Sequence, residues 1–139
     1  MLGYVANITE MTKANTDFRR VLYSGSKLQL VLMSVAPGED LAGAIHVEAD
    51  QFFCIEQGKG RIVIDGMTHK VEPGDCALVP AGAYHNLFCT GHEPLKICTI
   101  SGPPHHRDQL VQRTKPEAAD SDGTCEAQTT EQAAGVVRI

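Results

Sequence analysis

The middle of the chain is written in short apolar runs separated by turn residues roughly every eight to twelve positions, the pattern of an all-β sandwich or barrel. The runs are Val21 to Tyr23, Leu28 to Val35, Ala44 to Val47, Phe52 to Ile55, Arg61 to Ile64, His69 to Val71, Cys76 to Val79, Asn86 to Cys89 and Leu95 to Ile100. They predict a series of strands with almost no helix between them. The separators are chemically explicit: Pro37-Gly38, Gly58-Lys59-Gly60, Asp65-Gly66, Pro73-Gly74-Asp75, Pro80-Ala81-Gly82 and Gly91. Asp65-Gly66 is the sharpest of them, because a type I′ hairpin requires positive φ at both central positions and Asp-Gly tolerates it.

Past Ser101 the pattern changes. Gly102-Pro103-Pro104-His105-His106 reads as an extended exit from the last strand, since proline donates no ladder hydrogen bond. The expected organisation is therefore a barrel with N-terminal strands over 1–115 and an acidic C-terminal tail over 116–139. A short helical or extended piece around Asp108 to Thr114 is expected to pack on the outside. Between Pro116 and Gly135 no large apolar residue occurs, a composition that stays disordered in isolation. Val136, Val137 and Ile139 are expected to dock, a neighbouring subunit being one location.

Composition adds bounds. With 139 residues, 42% hydrophobic and 21% charged, the chain suits one globular domain with a sizeable core. No run reaches the roughly 18 apolar residues of a membrane span, and Met1 to Phe18 mixes Glu10, Lys13 and Asp17, so neither anchor nor secretion signal is expected. The five cysteines are odd in number and lack CxxC spacing, which points to a reducing, cytoplasmic setting without disulfides. Of the net charge of -5, the segment from Pro116 onward supplies -4, because Glu117, Asp120, Asp122, Glu126 and Glu131 face only Arg138. The nearly neutral body lacks the basic stripe of a nucleic-acid binder, and none is expected as a partner.

Two segments about thirty residues apart carry the candidate chemistry. In the second, Gly74-Asp75 is followed by Pro80-Ala81-Gly82 and then by His85. The turn at Pro80 to Gly82 would bend the chain sharply, and His85 would start the next strand facing inward. In the first, Ala44 and His46 lie two apart, as do Gln51, Phe53 and Ile55, so each set shares one strand face. These segments resemble the two motifs of the cupin family: Gly, five residues, Pro-x-Gly, two residues, His; and His-x-His, three or four residues, Glu, six residues, Gly.

The resemblance covers roughly residues 8 to 115. It includes Asp50-Gln51-Phe52-Phe53 and the Pro-Pro-His-His exit, which are similar to small bacterial cupins of unassigned activity, sometimes labelled mannose-6-phosphate-isomerase-like. It implies a single double-stranded β-helix, or jelly-roll barrel. Counting back from Gly58, it places Gln51 at the family's Glu position, His46 at the second histidine and Ala44 at the first. Cys89 stands where the family has Asn. A three-residue gap would instead bring Ile45 and Val47 to the ligand positions and abolish the site, so the register that keeps His46 is preferred.

The resemblance thus implies a metal site of His46, Gln51 and His85, suited to zinc, nickel, manganese or iron. An amide in place of a carboxylate removes a charge from that shell, and Glu48 and Asp50, in the loop between the ligand strands, are the carboxylates placed to restore it or to transfer protons. The competing reading makes His46 and His85 polar linings of a cavity without metal. Cys89, on the face of His85, is a further pocket candidate. His105 and His106, adjacent in extended chain, point to opposite faces, which favours the surface. His69 and His92 are expected to be solvated.

Three functional readings stay open: a mononuclear metal enzyme, dioxygenase- or isomerase-like; a metal-free module that binds or senses a small molecule without turnover; and an oligomeric structural protein. In the first two, Phe53, Ile55, Ile62, Ile64 and Leu87 are expected to line the pocket. A homodimer is expected, with the apolar stretch Val21 to Val35 offering an edge that pairing would cover.

Overall fold

The computed structural model describes residues 1–116 and 128–135. Its elements run α1 (Ile8–Ala14), β1 (Arg19–Ser24), β2 (Gln29–Val35), β3 (Ala44–Ile45), β4 (Asp50–Gln57), β5 (Gly60–Ile64), β6 (Met67–Val71), β7 (Cys76–Val79), β8 (Tyr84–Cys89), β9 (Leu95–Gly102), β10 (Val111–Gln112) and α2 (Thr130–Ala133). Every predicted apolar run lies on a strand, although β3 stops at Ile45 and releases the chain before His46. The hairpin at Asp65-Gly66 has φ of 45° and 82° at its two residues and pairs Ile64 with Met67, as a type I′ turn requires.

The strands form two antiparallel sheets, of order β10-β1-β2-β9-β4-β7 and β3-β8-β5-β6. Together they make a double-stranded β-helix. Period-two alternation turns Phe53 and Ile55 of β4, Leu95 and Ile97 of β9, and Val31, Met33 and Val35 of β2 toward Ile62 and Leu87 of the smaller sheet, forming one core. At one end of this barrel the inward positions become polar, with Gln51, Thr99, Ser101 and His85 replacing aliphatic side chains. That change in lining creates the site.

Four features depart from the sequence reading. Residues 8–14 are helical, capped by Asn7, whose side chain accepts from the Glu10 amide. This helix packs on β9 and β4, and the Lys96 ammonium donates to the Asn15 carbonyl at its C-cap. The outer face of β9 is thereby covered, so β9 is buried on both faces. Second, the stretch from Val21 to Val35 is not an open edge: β2 lies between β1 and β9, and β10 covers β1. Third, α2 is tied to the body by hydrogen bonds. Thr130 Oγ1 accepts from the Ser24 amide (2.6 Å) and donates to Asp108, while Tyr23 donates to Glu131 (3.0 Å). Fourth, Cys76 is exposed, whereas its place within a strand predicts a buried thiol that packs as a small hydrophobe. Val136, Val137 and Ile139, and the acidic run from Glu117 to Glu126, lie outside the described residues.

Candidate functional site

His85 owes its place to the turn before it. The Gly82 amide donates to the His46 carbonyl (2.9 Å) and the Ala83 amide to the Pro80 carbonyl (3.1 Å). This tie joins the two motif segments and sets β8 against β3 so that His85 faces Ala44. The Nδ1 atom of His85 lies 3.3 Å from the Ala83 carbonyl. A carbonyl can only accept, so Nδ1 carries the hydrogen and Nε2 keeps its lone pair. Gln51 is buried on β4, and its Nε2 donates to Ser101 Oγ on the partner strand β9 (3.3 Å). Its Oε1 has no hydrogen-bond partner.

These residues line one cavity of about 120 Å³, with Arg19, Leu41, Val31, Met33, Phe53, Thr99, His105 and others around it. The rings of His46 and His85 lie 5.4 Å apart, centre to centre, and His105 approaches His46 edge-on at 4.3 Å. Burial, followed by the charges of His105, His85 and Arg19, holds the His46 pKa down to about 4. Burial also lowers His85, with the Ala83 carbonyl opposing it, and lowers His105, reinforced by Arg19. The rings are therefore neutral at physiological pH.

His46, Gln51 and His85 line the same cavity. Glu48 and Asp50 are exposed and stand outside the cavity lining. Asp50 accepts a hydrogen bond from the Ala81 amide (2.8 Å), where it supports the turn before His85. Glu48 borders a separate groove with His46, Ala49, Pro104 and His105. Of the expected apolar lining, Phe53 is at the cavity, whereas Ile55, Ile62 and Leu87 lie in the solid core. Cys89 is also in the core and donates to the Glu93 carbonyl.

His105 and Arg19 were not legible as site residues. Gln29 holds the backbone at His105 and His106. Gln29 is fully buried; its Oε1 accepts from the amides of His105 (3.2 Å) and His106 (2.9 Å), and its Nε2 donates to the His106 carbonyl (2.6 Å) and Ser24 Oγ (2.8 Å). Both rings thereby reach the cavity, 4.7 Å apart. His69 and His92 are exposed, as expected.

The cupin-domain family profile matches residues 31–101, which contain both motif segments. The uncharacterized protein YrkC of Bacillus subtilis (strain 168) is 38% identical over 86% of this chain and 67% of its own. The chain belongs to the cupin family. A crystal structure from Bacillus halodurans, also 38% identical to this cupin, superimposes with a TM-score of 0.84 over 85% of this chain and 94% of that one. A predicted oxalate decarboxylase from Thermotoga maritima shares the fold at 19% identity, with a TM-score of 0.54 over 57% of this chain and 69% of that one.

As to metal, the donors of this cupin are consistent with a single divalent ion. Two imidazoles bound to one ion at about 2.1 Å would hold their ring centres about 4.5 to 5.5 Å apart. The orphaned Oε1 of Gln51 offers a neutral oxygen beside them. Among the described residues no three His, Cys, Asp or Glu side chains are grouped to hold an ion by themselves, so the set depends on that amide.

Proposed function

We propose that this cupin holds a divalent transition metal, of the zinc, nickel, manganese or iron class, on His46, Gln51 and His85, and that it binds or acts on a small oxygen-bearing molecule in the same cavity. The observation that carries the reading is the buried, unpartnered amide oxygen of Gln51 in a cavity with two neutral imidazoles. A buried acceptor left without a partner costs about 1–3 kcal/mol, a cost that a ligand would relieve. When bound there, such an ion supplies Lewis-acid polarisation of a ligand oxygen.

The chain's own residues do the rest. Ala83 fixes the tautomer of His85, Ser101 fixes the Gln51 amide, and Val31, Met33 and Phe53 form an apolar floor that keeps bulk water out. Depressed pKa values keep the imidazoles free of protons, the form a metal requires. Of the two carboxylates named from the sequence, Glu48 shares a groove with His46 and is assigned proton exchange with solvent, while Asp50 is committed to Ala81.

A metal-free binding or sensing module is the second reading, favoured by the lack of a three-residue His, Cys, Asp or Glu group among the described residues. Elemental analysis of protein purified without added metal or chelator separates the two. About one equivalent of a transition metal is expected. Its affinity should fall in His85→Ala by more than the roughly 10- to 100-fold that outer-shell changes cost. A folded wild-type protein that neither carries metal nor takes up added zinc overturns the metal reading.

The four free thiols at Cys54, Cys76, Cys89 and Cys98 fit a reducing, cytoplasmic setting, which is part of the same proposal. No helix among the described residues is long and apolar enough to cross a membrane. We also retain the homodimer, now through other surfaces than Val21 to Val35. Ile45 and Tyr84 pair across β3 and β8, and both are exposed, as is nearby Val47. Light scattering at micromolar concentration should return about twice the 15.0 kDa chain mass; a monomer rejects the dimer.

A further inference from the structure

We propose that the cavity is a receptor for a small carboxylate of about two to four carbons, held by the guanidinium of Arg19. This names the ligand class of the cavity described above, and it rests on that reading for the shared pocket but not for the metal.

Charge comes first. Arg19 belongs to β1 and shares its face with buried Val21. It lines the cavity together with His46, His85, His105 and His106, and no carboxylate lines it with them. The ion pairs among the described residues join Arg20 to Asp17 and Lys115 to Asp40, so Arg19 has no anionic partner there. Its Nη1 donates to the neutral amide oxygen of Gln112 (2.6 Å), and its buried Nε has no acceptor at all. Burial has lowered its pKa to about 10, still far above neutrality, so the group keeps its charge. A half-buried cation whose fork is only partly satisfied is costly to maintain, and the complement that relieves it is an anion accepting two parallel hydrogen bonds.

Size and lining narrow the anion. A cavity of about 120 Å³ is small beside the roughly 300–1,000 Å³ of sites for drug-sized ligands. That admits acetate, pyruvate or lactate and refuses a sugar phosphate or citrate. The apolar part of the lining, Val31, Phe53 and Met33, the last paired with Arg19 across β1 and β2, suits a short aliphatic tail, while the hydroxyls of Thr99 and Ser101 suit a second oxygen.

The test is calorimetric titration of the full chain, in chelator-treated and in zinc-loaded form, with acetate, pyruvate, L-lactate, the neutral twin L-lactamide, and citrate. At least one of the three small carboxylates should bind, and L-lactamide should bind at least about 30-fold more weakly than L-lactate. Citrate should not bind. Arg19→Gln should lose at least the same factor toward the carboxylate, whereas Arg20→Gln, at the exposed neighbour, should keep wild-type affinity. Carboxylates that bind no better than the amide in wild type, or equal affinity in a folded Arg19→Gln, overturn the proposal. Should Arg19→Gln fail to fold, the wild-type contrast between lactate and lactamide decides alone. Carboxylate binding without zinc uptake would remove the metal reading and leave this one; zinc uptake without carboxylate binding would do the reverse.

Discussion

Cys98, Cys54 and Cys76 stand in register on β9, β4 and β7 and share the outward face of the larger sheet, yet their surroundings differ in steps. Cys76, on the edge strand, is exposed; Cys54 is half-buried; Cys98 lies inside. Burial pushes the Cys98 thiol up to about 12, and burial together with Glu56 raises Cys54. Since the thiolate is the nucleophile, alkylation of the native protein by N-ethylmaleimide at pH 8 should proceed in the order Cys76, Cys54, Cys98, with Cys98 unmodified until the chain is unfolded. Peptide mass spectrometry reads the order directly, and early labelling of Cys98 would contradict it. At this scale the site was half legible. His46, Gln51 and His85 were placed by the resemblance to the cupin motifs, with which period two and the turn before His85 agree. Arg19 was announced only by sharing a face with Val21, a hint that means nothing until β1 is known to border the cavity.

The Gln29 clasp shows how one element holds another that is distant in the chain. Replacing Gln29 with Leu keeps the volume but removes its hydrogen bonds to the amides of His105 and His106 and to the carbonyl of His106. At about 0.5–1.5 kcal/mol for each of these bonds, urea denaturation should show a loss of roughly 2 kcal/mol or more. A variant within about 0.5 kcal/mol of wild type would mean that the clasp holds little. The strands themselves could be read from the sequence because turn residues punctuate them. The misses were short or terminal. Helix α1 has seven residues, and its one local signal is Asn7 three places before Glu10. Strand β10, by contrast, lies within the short piece expected around Asp108 to Thr114, and pairing with β1 is what makes it extended. Gly58, the family glycine, has φ of 85°, and a Cβ there would lie 2.6 Å from the Pro94 carbonyl oxygen. That position is a backbone requirement visible as a motif, whereas the hold of Gln29 on His105 and His106 has no motif of its own.

Across the whole molecule, three neutral imidazoles in one cavity tie stability to acidity. In the metal-free protein the folded pKa of His46, about 4, lies below the 6.5 of the unfolded chain, and His85 and His105 are shifted the same way. Between those values the unfolded chain binds protons that the folded one does not, so this contribution is complete above about pH 6.5 and is lost as pH falls toward 4. Thermal denaturation in chelator should show the melting temperature falling over that interval, and the fall should be shallower in His46→Gln. A melting temperature that stays flat from pH 7 to 4.5 would rule this out.

The larger sheet also dictates an order of assembly. Arg19 meets Gln112 and Ser24 meets Thr130, so the first strand waits for partners translated roughly a hundred positions later. A ribosome-bound chain stopped soon after residue 101 would hold the residues of both cupin motifs but neither His105 nor the amide that steadies Arg19. The cavity is therefore finished last, by a stretch of chain that the family signature does not include.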